Sequence, residues 1–560
     1  MSVDGLSAPP VPALPPPVSP VSGVPASALL EESGVAEEVR ELVAGLLTVP
    51  WGQVSASPYE TGRVVSLAPW MAGHAERVGF LLAAQRADGG WGAPGGYGLV
   101  PTLSAVEALM AECRREPPCA DPGLLAAAAG RGLAAVRDWE LAGPGAPLPD
   151  MPAIELIVPS LLSLIDGHLD GPGPLQGVSG AKLAAVRTRL ASGAAIPQKL
   201  VHALEVAGGE AIAASGVVPT PMPGGMAAVG ASPGASAAWL AAPPERAGGA
   251  ASGPGDDVTP RGTGRSIREG MPVRRYLEAV VAASGGPVPC AIPITVFERG
   301  WTLSWLLRAG IAVDVPPELA ASLRDGLGPE GVAAGPGLPA DADTTSVALY
   351  ALALLGEPRE PEGLWPFETE GHFCTWRGEE GMSPTTNAHV LDAFGEYVRR
   401  CGGEPRHAAV VAKLASWLRG RQQERGSWLD RWHVSPYYAT ACCAIALSEF
   451  GGEESEEAVG RAVDWVLGTQ RRDGSWGRWE GTAEETAYAL QTLLLTGAAR
   501  GGRWREVVER GHHRLLAGHD HDRGAPLWVD KDLYLPVAIV RAAVLGALHL
   551  AERTMNLTGG

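Results

Sequence analysis

Two carboxylates, Asp341 and Asp343, stand two residues apart in "PADADTTSVALYALALLG" (Pro339 to Gly356), directly before Thr344, Thr345, Ser346 and a strongly apolar run that reads as a helix. A pair of acids at the mouth of such a helix has two readings. In one, Asp and Thr are ordinary N-capping residues whose side-chain oxygens accept from the first free backbone N–H groups. In the other, burial and mutual repulsion oppose a second negative charge, so the pair keeps a proton at neutral pH. The partial positive charge of the helix N-terminus would then stabilise the carboxylate left when that proton is given away.

Few other segments carry chemistry. "GHDHDRG" (Gly518 to Gly524) alternates His and Asp, but such residues in a loop are more often solvated than metal-bound. Asp256 and Asp257 lack the third acid of an Asp-Asp-x-x-Asp motif, and no Gly-rich phosphate loop occurs.

The elements that must position the acids are bounded by length and composition. A chain of 560 residues with 46% hydrophobic content can fill two large cores. Its net charge of -18 argues against a general affinity for nucleic acid or anionic lipid, so an anionic ligand needs a local basic pocket or a metal. Seven scattered cysteines, an odd number without metal-type spacing, read as reduced thiols in a cytoplasmic protein. The first 28 residues are Pro-rich, carry no Lys or Arg and are expected to be a disordered tail rather than a signal peptide. No window of about 18 apolar residues free of Gly, Pro and charge suggests a membrane-spanning helix.

From Glu31 onward the chain reads as helix after helix separated by Gly/Pro turns, which predicts an all-α fold. Pro243 to Arg265 has the composition of a flexible insertion. Three segments repeat: "QRADGGW" (Gln85 to Trp91), "QQERGSW" (Gln422 to Trp428) and "QRRDGSW" (Gln470 to Trp476). Each follows one apolar helical run and precedes another. Glycine permits a turn there, the Gln amide can bond helix-end backbone groups, and the indole packs broadly.

This Gln/Trp repeat resembles that of the squalene-hopene cyclases and their relatives, the class II terpene cyclases. "SPYETGRVVSLAPW" (Ser57 to Trp70), "MPAIELIVPSLLSLID" (Met151 to Asp166), "KLVHALE" (Lys199 to Glu205) and "GGMAAVGASPGASAAWLA" (Gly224 to Ala241) are similar to successive stretches of class II diterpene cyclases. "VPCAIPITVFERGWTLSWLLRAGI", "GMSPTTNAHVLDAFG", "RWHVSPYYATA" and "APLWVDKDLYLPVAIVRAAVLGAL" follow in the family's order, and the resemblance runs from about Ser57 to Leu548. It implies two (α/α) barrels, called beta and gamma, with the active site between them. The expected division is a tail at 1–28, N-terminal helices joining the beta domain at 29–70, a gamma domain at 71–295 with the insertion at 243–265, a beta domain at 296–552 and a tail at 553–560.

The same resemblance assigns roles. "DADT" is similar to the family's Asp-x-Asp-Asp, whose middle residue protonates a carbon-carbon double bond; that makes Asp343 the general acid and Asp341 its neighbour. The fourth position is Thr344 where the family commonly has Asp, as in Asp-x-Asp-Thr-Thr members. Asn387 matches the Asn that orients the acid. His202 matches one half of a His/Asn pair that holds a terminal water in plant members; Cys290 stands at the Asn position, so a different base or a different terminating alkene is expected. Aromatic faces stabilise cations without capturing them, and Trp301, Trp376, Trp432, Tyr437 and Tyr438 are the expected pocket residues. Arg63, Lys531 and Arg541 are candidates for diphosphate binding and Glu155 for magnesium, Mg2+ being the expected cofactor.

The implied reaction is cyclisation of a linear prenyl diphosphate, geranylgeranyl diphosphate first and farnesyl diphosphate second, to a bicyclic product that keeps its diphosphate, in line with the missing Asp-Asp-x-x-Asp. A squalene-type cyclase would share the repeat and the acid. A non-catalytic α-barrel scaffold, or a prenyltransferase-like subunit, would explain the repeat without the acid.

Overall fold

The structure, a computed structural model, describes residues 34–142, 148–169, 178–243, 267–497, 502–518 and 524–558. The Pro-rich tail, the insertion beyond Pro243 with Asp256 and Asp257, and 519–523 of the His/Asp loop lie outside the described residues.

The helices are α1 (Gly34–Thr48), α2 (Pro58–Leu67), α3 (His74–Ala83), α4 (Leu99–Cys113), α5 (Pro122–Ala142), α6 (Ile154–Asp166), α7 (Ala181–Ala191), α8 (Gln198–Val201), α9 (Gly209–Ala214), α10 (Pro233–Ala241) and α11 (Ile267–Ser284). They continue as α12 (Thr295–Arg308), α13 (Pro317–Gly326), α14 (Ala342–Leu354), α15 (Pro384–Cys401), α16 (Pro405–Arg419), α17 (Pro436–Phe450), α18 (Glu456–Gly468), α19 (Ala483–Leu495), α20 (Gly502–Ala517) and α21 (Val537–Thr558). Three short antiparallel hairpins interrupt them: β1–β2 (Thr220–Met222, Met226–Ala228), β3–β4 (Val332–Ala333, Ala340–Asp341) and β5–β6 (Trp528–Val529, Leu533–Tyr534).

Helix contacts close two rings. In the first, α12, α14, α15, α17, α19 and α21 each touch the next, and α21 returns to α12. Around it lie α13, α16, α18 and α20, each packed in the groove between two inner helices, with α1 against α21. In the second, α2, α4, α6, the short 3₁₀ turn Leu204–Ala207 and α10 form the inner ring, with α3, α5, α7, α9 and α11 outside. The sequence explains the layering. Inner helices such as α14 and α17 are buried along almost their whole length and are apolar or small on every side, whereas outer helices such as α16 and α18 bury one stripe.

The packing splits the expected 29–70 segment. Val35, Val39 and Leu42 of α1 join the core of the first ring, while Tyr59, Val64 and Val65 of α2 sit in the cores of the second. At the other end α21 runs to Thr558, through residues expected to be tail.

The three Gln/Trp segments fold into one repeated joint. Gln85, Gln422 and Gln470 each donate Nε2–H to the carbonyl of the glycine four residues on, at 2.8, 2.8 and 3.0 Å, and to a carbonyl in the next outer helix, Ala128, Ala458 or Val507, at 2.9, 2.8 and 2.9 Å. The indoles of Trp91, Trp428 and Trp476 are fully buried and donate to Leu81, Leu418 and Val466 carbonyls at 2.7, 2.9 and 2.9 Å. Gly89, Gly426 and Gly474 adopt φ of 88°, 98° and 87°, and a Cβ there would lie 2.7, 2.3 and 2.7 Å from a carbonyl oxygen. Only glycine fits.

The β5–β6 hairpin lies between the rings and is tied to both. Ser55 N–H donates to the Leu535 carbonyl at 3.0 Å and Ser57 Oγ–H to Asp532 Oδ2 at 2.8 Å, beside α2; on the other side Val529 N–H donates to the Trp432 carbonyl at 2.9 Å. All seven cysteines are free thiols. Among the described residues no helix is long and apolar enough to cross a membrane.

Candidate active site

Hairpin β3–β4 delivers the chain to the start of α14 with Asp341 paired to Val332. Asp341 has extended backbone and caps the helix: its Oδ1 accepts the Thr344 N–H at 2.6 Å and its Oδ2 pairs with the Thr344 hydroxyl at 2.9 Å. The capping reading of this segment therefore describes Asp341 and Thr344. Asp343, in the first turn, does something else. Its Oδ1 lies 2.7 Å from His389 Nδ1, and its Oδ2 has no hydrogen-bond partner among the described residues.

The electrostatics suit a proton store. Burial above all, opposed by the Thr344 N–H and reinforced by the charge of Asp343, pushes the Asp341 carboxyl up to about 8. The pair therefore holds one proton at neutral pH. Burial disfavours a charged His389, but the Asp343 carboxylate outweighs it and holds the imidazole well above its ordinary value. An imidazolium against Oδ1 and the N-terminus of α14 both stabilise the carboxylate that proton release leaves behind. The raised Asp341 value fixes a sign: kcat/KM is expected to be level near neutrality and to fall above about pH 8 as the pair loses its proton. A pH profile still rising through that range contradicts this reading of the pair.

Asn387 is not the orienting partner. Its Nδ2 donates to the Phe373 and Ser383 carbonyls at 3.0 and 2.9 Å and its Oδ1 accepts the Phe373 N–H at 2.8 Å, so the whole amide serves to clamp the 373 loop to α15. His389, two residues on, holds the acid instead.

Both acids open on a cavity of about 1030 Å³ between the two rings, at the upper end of the usual range for ligand sites. Trp301, Trp376 and Trp432 line it as expected, joined by Phe297, Trp528 and Tyr534. Trp376 and Trp432 meet edge to face at 4.9 Å, and Trp432 Nε1–H donates to Thr375 Oγ1 at 3.0 Å. Trp301 donates to the Tyr438 hydroxyl at 2.9 Å, and Trp528 to the buried Glu484 Oε1 at 2.8 Å. Tyr438 thus stands behind the wall, stacked on His433 at 4.5 Å, and Tyr437 packs against Trp465 at 4.7 Å; neither lines the cavity. No residue of α17 lines the cavity, so the helix that carries this pair stands behind the wall.

The lining also carries exposed charged side chains. Lys182, 68% exposed, contacts both oxygens of Glu155, 57% exposed, at 2.7 and 2.6 Å, with Lys199 nearby on the lining. Arg431 pairs with Glu379 and with Asp150 at 2.7 Å. Of the expected diphosphate cations, Lys531 lines the cavity and the other two do not. Arg63 is buried against Ser104 and Glu107, Arg541 does not reach the cavity, and Lys531 has 0% exposure with its ammonium enclosed by Glu60, Glu205 (3.0 Å), the His202 carbonyl (2.7 Å) and Ser232 Oγ (2.9 Å).

His202 does line the cavity, with Nδ1 2.5 Å from the Gly230 carbonyl and Nε2 3.1 Å from both oxygens of Asp530. Cys290 is fully buried nearby. Sequence reasoning passed over His389, Trp528, Lys182 and Asp530. The quoted segments contained His389, Trp528 and Asp530, but which way each side chain turns depends on contacts made across the fold.

The squalene-hopene cyclase C-terminal domain family matches residues 382–528. An ent-copalyl diphosphate synthase of Streptomyces sp. (strain KO-3988) is 42% identical over 532 residues, covering 92% of this chain and 96% of that protein. A labda-7,13-dienyl diphosphate synthase of Streptomyces clavuligerus is 39% identical, covering 92% of each. Among solved structures, the ent-copalyl diphosphate synthase from Streptomyces platensis superposes with a TM-score of 0.83 at 42% identity, covering 93% of this chain and 100% of that one.

Proposed function

The chain belongs to the class II terpene cyclases, and on that premise we propose that it isomerises geranylgeranyl diphosphate to a bicyclic labdane-type diphosphate. The observation that carries this reading is Asp343: a carboxyl held by His389 on one oxygen, with the other unpartnered among the described residues, at the wall of a large aromatic cavity whose lining also carries Lys182 and Lys199. The names of relatives 42% and 39% identical, copalyl and labda-7,13-dienyl diphosphate synthases, support the substrate.

In this mechanism the isoprenoid tail folds against Trp301, Trp376, Trp432 and Trp528, and the terminal alkene meets Asp343 Oδ2. An alkene is an extremely weak base, so the acid must be protonated at rest and yet release its proton readily; the buried pair supplies the first and His389 with the helix terminus the second. Ring closure moves the positive charge along the chain, past indole faces that attract it without adding to it. Loss of a proton ends the sequence with the diphosphate intact.

Lys182 and Lys199 are the cations offered to the diphosphate in this reading, in place of Arg63, Lys531 and Arg541. Magnesium fits the same end on donor chemistry: Glu155 presents hard oxygens held only by the exposed, movable Lys182, and Mg2+ commonly takes one or two carboxylates beside phosphate oxygens. Its contribution would be to neutralise diphosphate charge. Replacing Lys199 or Lys182 with Ala is expected to raise KM about tenfold with kcat little changed, since each charge-assisted contact is worth roughly 1.5–3 kcal/mol. Unaltered KM in both variants removes them from the site.

The whole reading is tested by incubating the protein with magnesium and geranylgeranyl or farnesyl diphosphate, removing phosphate and identifying the alcohols by gas chromatography-mass spectrometry. A bicyclic alcohol from geranylgeranyl diphosphate is expected. A bicyclic alcohol from farnesyl diphosphate alone makes the protein a sesquiterpene cyclase, and linear alcohols from both overturn the prenyl diphosphate reading.

A further inference from the structure

We propose that the carboxylate of Asp530 is the base that ends the reaction, a role resting on the cyclase reading above. The cation left by ring closure becomes an alkene when a C–H bond beside the cationic carbon gives its electron pair to a new π bond and its proton to a base. Asp530 receives that proton as a neutral carboxylic acid and returns it to solvent. One proton enters from Asp343 and one leaves to Asp530, so the isomerisation balances.

Among the titratable side chains that line the cavity are His202, Tyr534, Asp530 and Lys531, the last engaged by Glu60 and Glu205. His202 has no lone pair to offer. Its Nδ1, 2.5 Å from the Gly230 carbonyl, must carry hydrogen because a carbonyl only accepts, and its Nε2 faces both Asp530 oxygens at 3.1 Å and donates there. The ring is thus an imidazolium. Tyr534 is a phenol kept protonated: burial, then Cys290, Asp530 and Asp343, push it well above its ordinary value. Asp530 is different. Burial opposes its charge, but His202 in first place and Lys531 after it hold the carboxyl down at about 2, so it stays ionised.

Geometry leaves that charge usable. Asp530 Oδ1 accepts the Lys531 N–H at 2.8 Å and both oxygens share one imidazole N–H, which leaves lone pairs on a side chain 14% exposed to the cavity. The ammonium of the neighbouring Lys531 is engaged by Glu60 and Glu205 and makes no ion pair with Asp530. A weakly basic carboxylate suffices, because a C–H bond next to a carbocation is a far stronger acid than any carboxyl.

The test compares Asp530→Asn and Asp530→Glu with the unaltered protein on geranylgeranyl diphosphate and magnesium, reading products and melting curves. Asp530→Asn is expected to lower kcat about 100-fold and to divert the cyclised cation to hydroxylated bicyclic diphosphate and alkene isomers. Asp530→Glu keeps a carboxylate one methylene away and is expected to return alkenes in altered proportions. The wild-type alkene as the sole product of Asp530→Asn overturns the assignment, as does linear alcohol alone from an Asp530→Asn protein with wild-type melting, which would make Asp530 a binding residue. Where Asp530→Asn does not fold, Asp530→Glu decides: an unchanged product mixture overturns it. Failure of the wild-type protein to cyclise is a different result and removes the underlying cyclase reading.

Discussion

Asp343→Asn is expected to give a folded protein that makes no cyclic product, a loss of about 10⁴-fold or more in kcat. The amide oxygen can still accept from His389 Nδ1, so the contact that seats the side chain survives the substitution. What disappears is the proton. Water cannot replace it, because an alkene needs an acid held at its carbon atoms rather than one delivered by diffusion, and Asp341 has both oxygens engaged with Thr344. The check is product formation over many turnovers alongside a melting curve. More than a trace of bicyclic alcohol from this variant would take the acid role away from Asp343.

Lys531→Met should act through stability. Its ammonium is enclosed by Glu60, Glu205, Ser232 Oγ and the His202 carbonyl, and although burial opposes the charge, Glu205 and Glu60 hold it well above the usual lysine value. Methionine fills similar volume but strands the two glutamates. Removing one partner of a buried ion network costs about 3–5 kcal/mol, which for a protein of this size corresponds to a fall in Tm of about 3–4 °C. The opposite expectation, that Lys531 grips the diphosphate, requires a raised KM at unchanged Tm. A thermal melt and a Michaelis plot on one preparation separate the two.

The residues that the sequence made legible are those whose roles are local. Asp-x-Asp before an apolar run is read from a helix entrance alone, and Asp341 and Thr344 cap α14 as that spacing requires. The Gln/Trp joint is likewise contained in seven residues plus the helices that follow them. Residues whose roles depend on facing were not legible. Asn387 and His389 lie about 200° apart on α15, so the packing of α14 against α15, not the motif, decides which of them meets Asp343. Asp530 and Lys531 are consecutive in a hairpin turn, yet their side chains take different partners, His202 for one and Glu60 with Glu205 for the other. Arg63 is claimed by Glu107, a partner 44 positions away that no local pattern indicates.

The stitching of β5–β6 to both rings bears on how ligands come and go. Ser55 and Ser57 hold it from one side and Trp432 from the other, and buried charges lock the turn between them. Parting of the two rings would have to break these contacts. On the proposed reading, traffic passes the exposed Lys182–Glu155 pair, with the hydrocarbon leading and the diphosphate head met by that lysine. That head is the handle for arrival and for departure, so whatever grips it tightly enough to hold the chain folded also sets how long the finished ring system lingers.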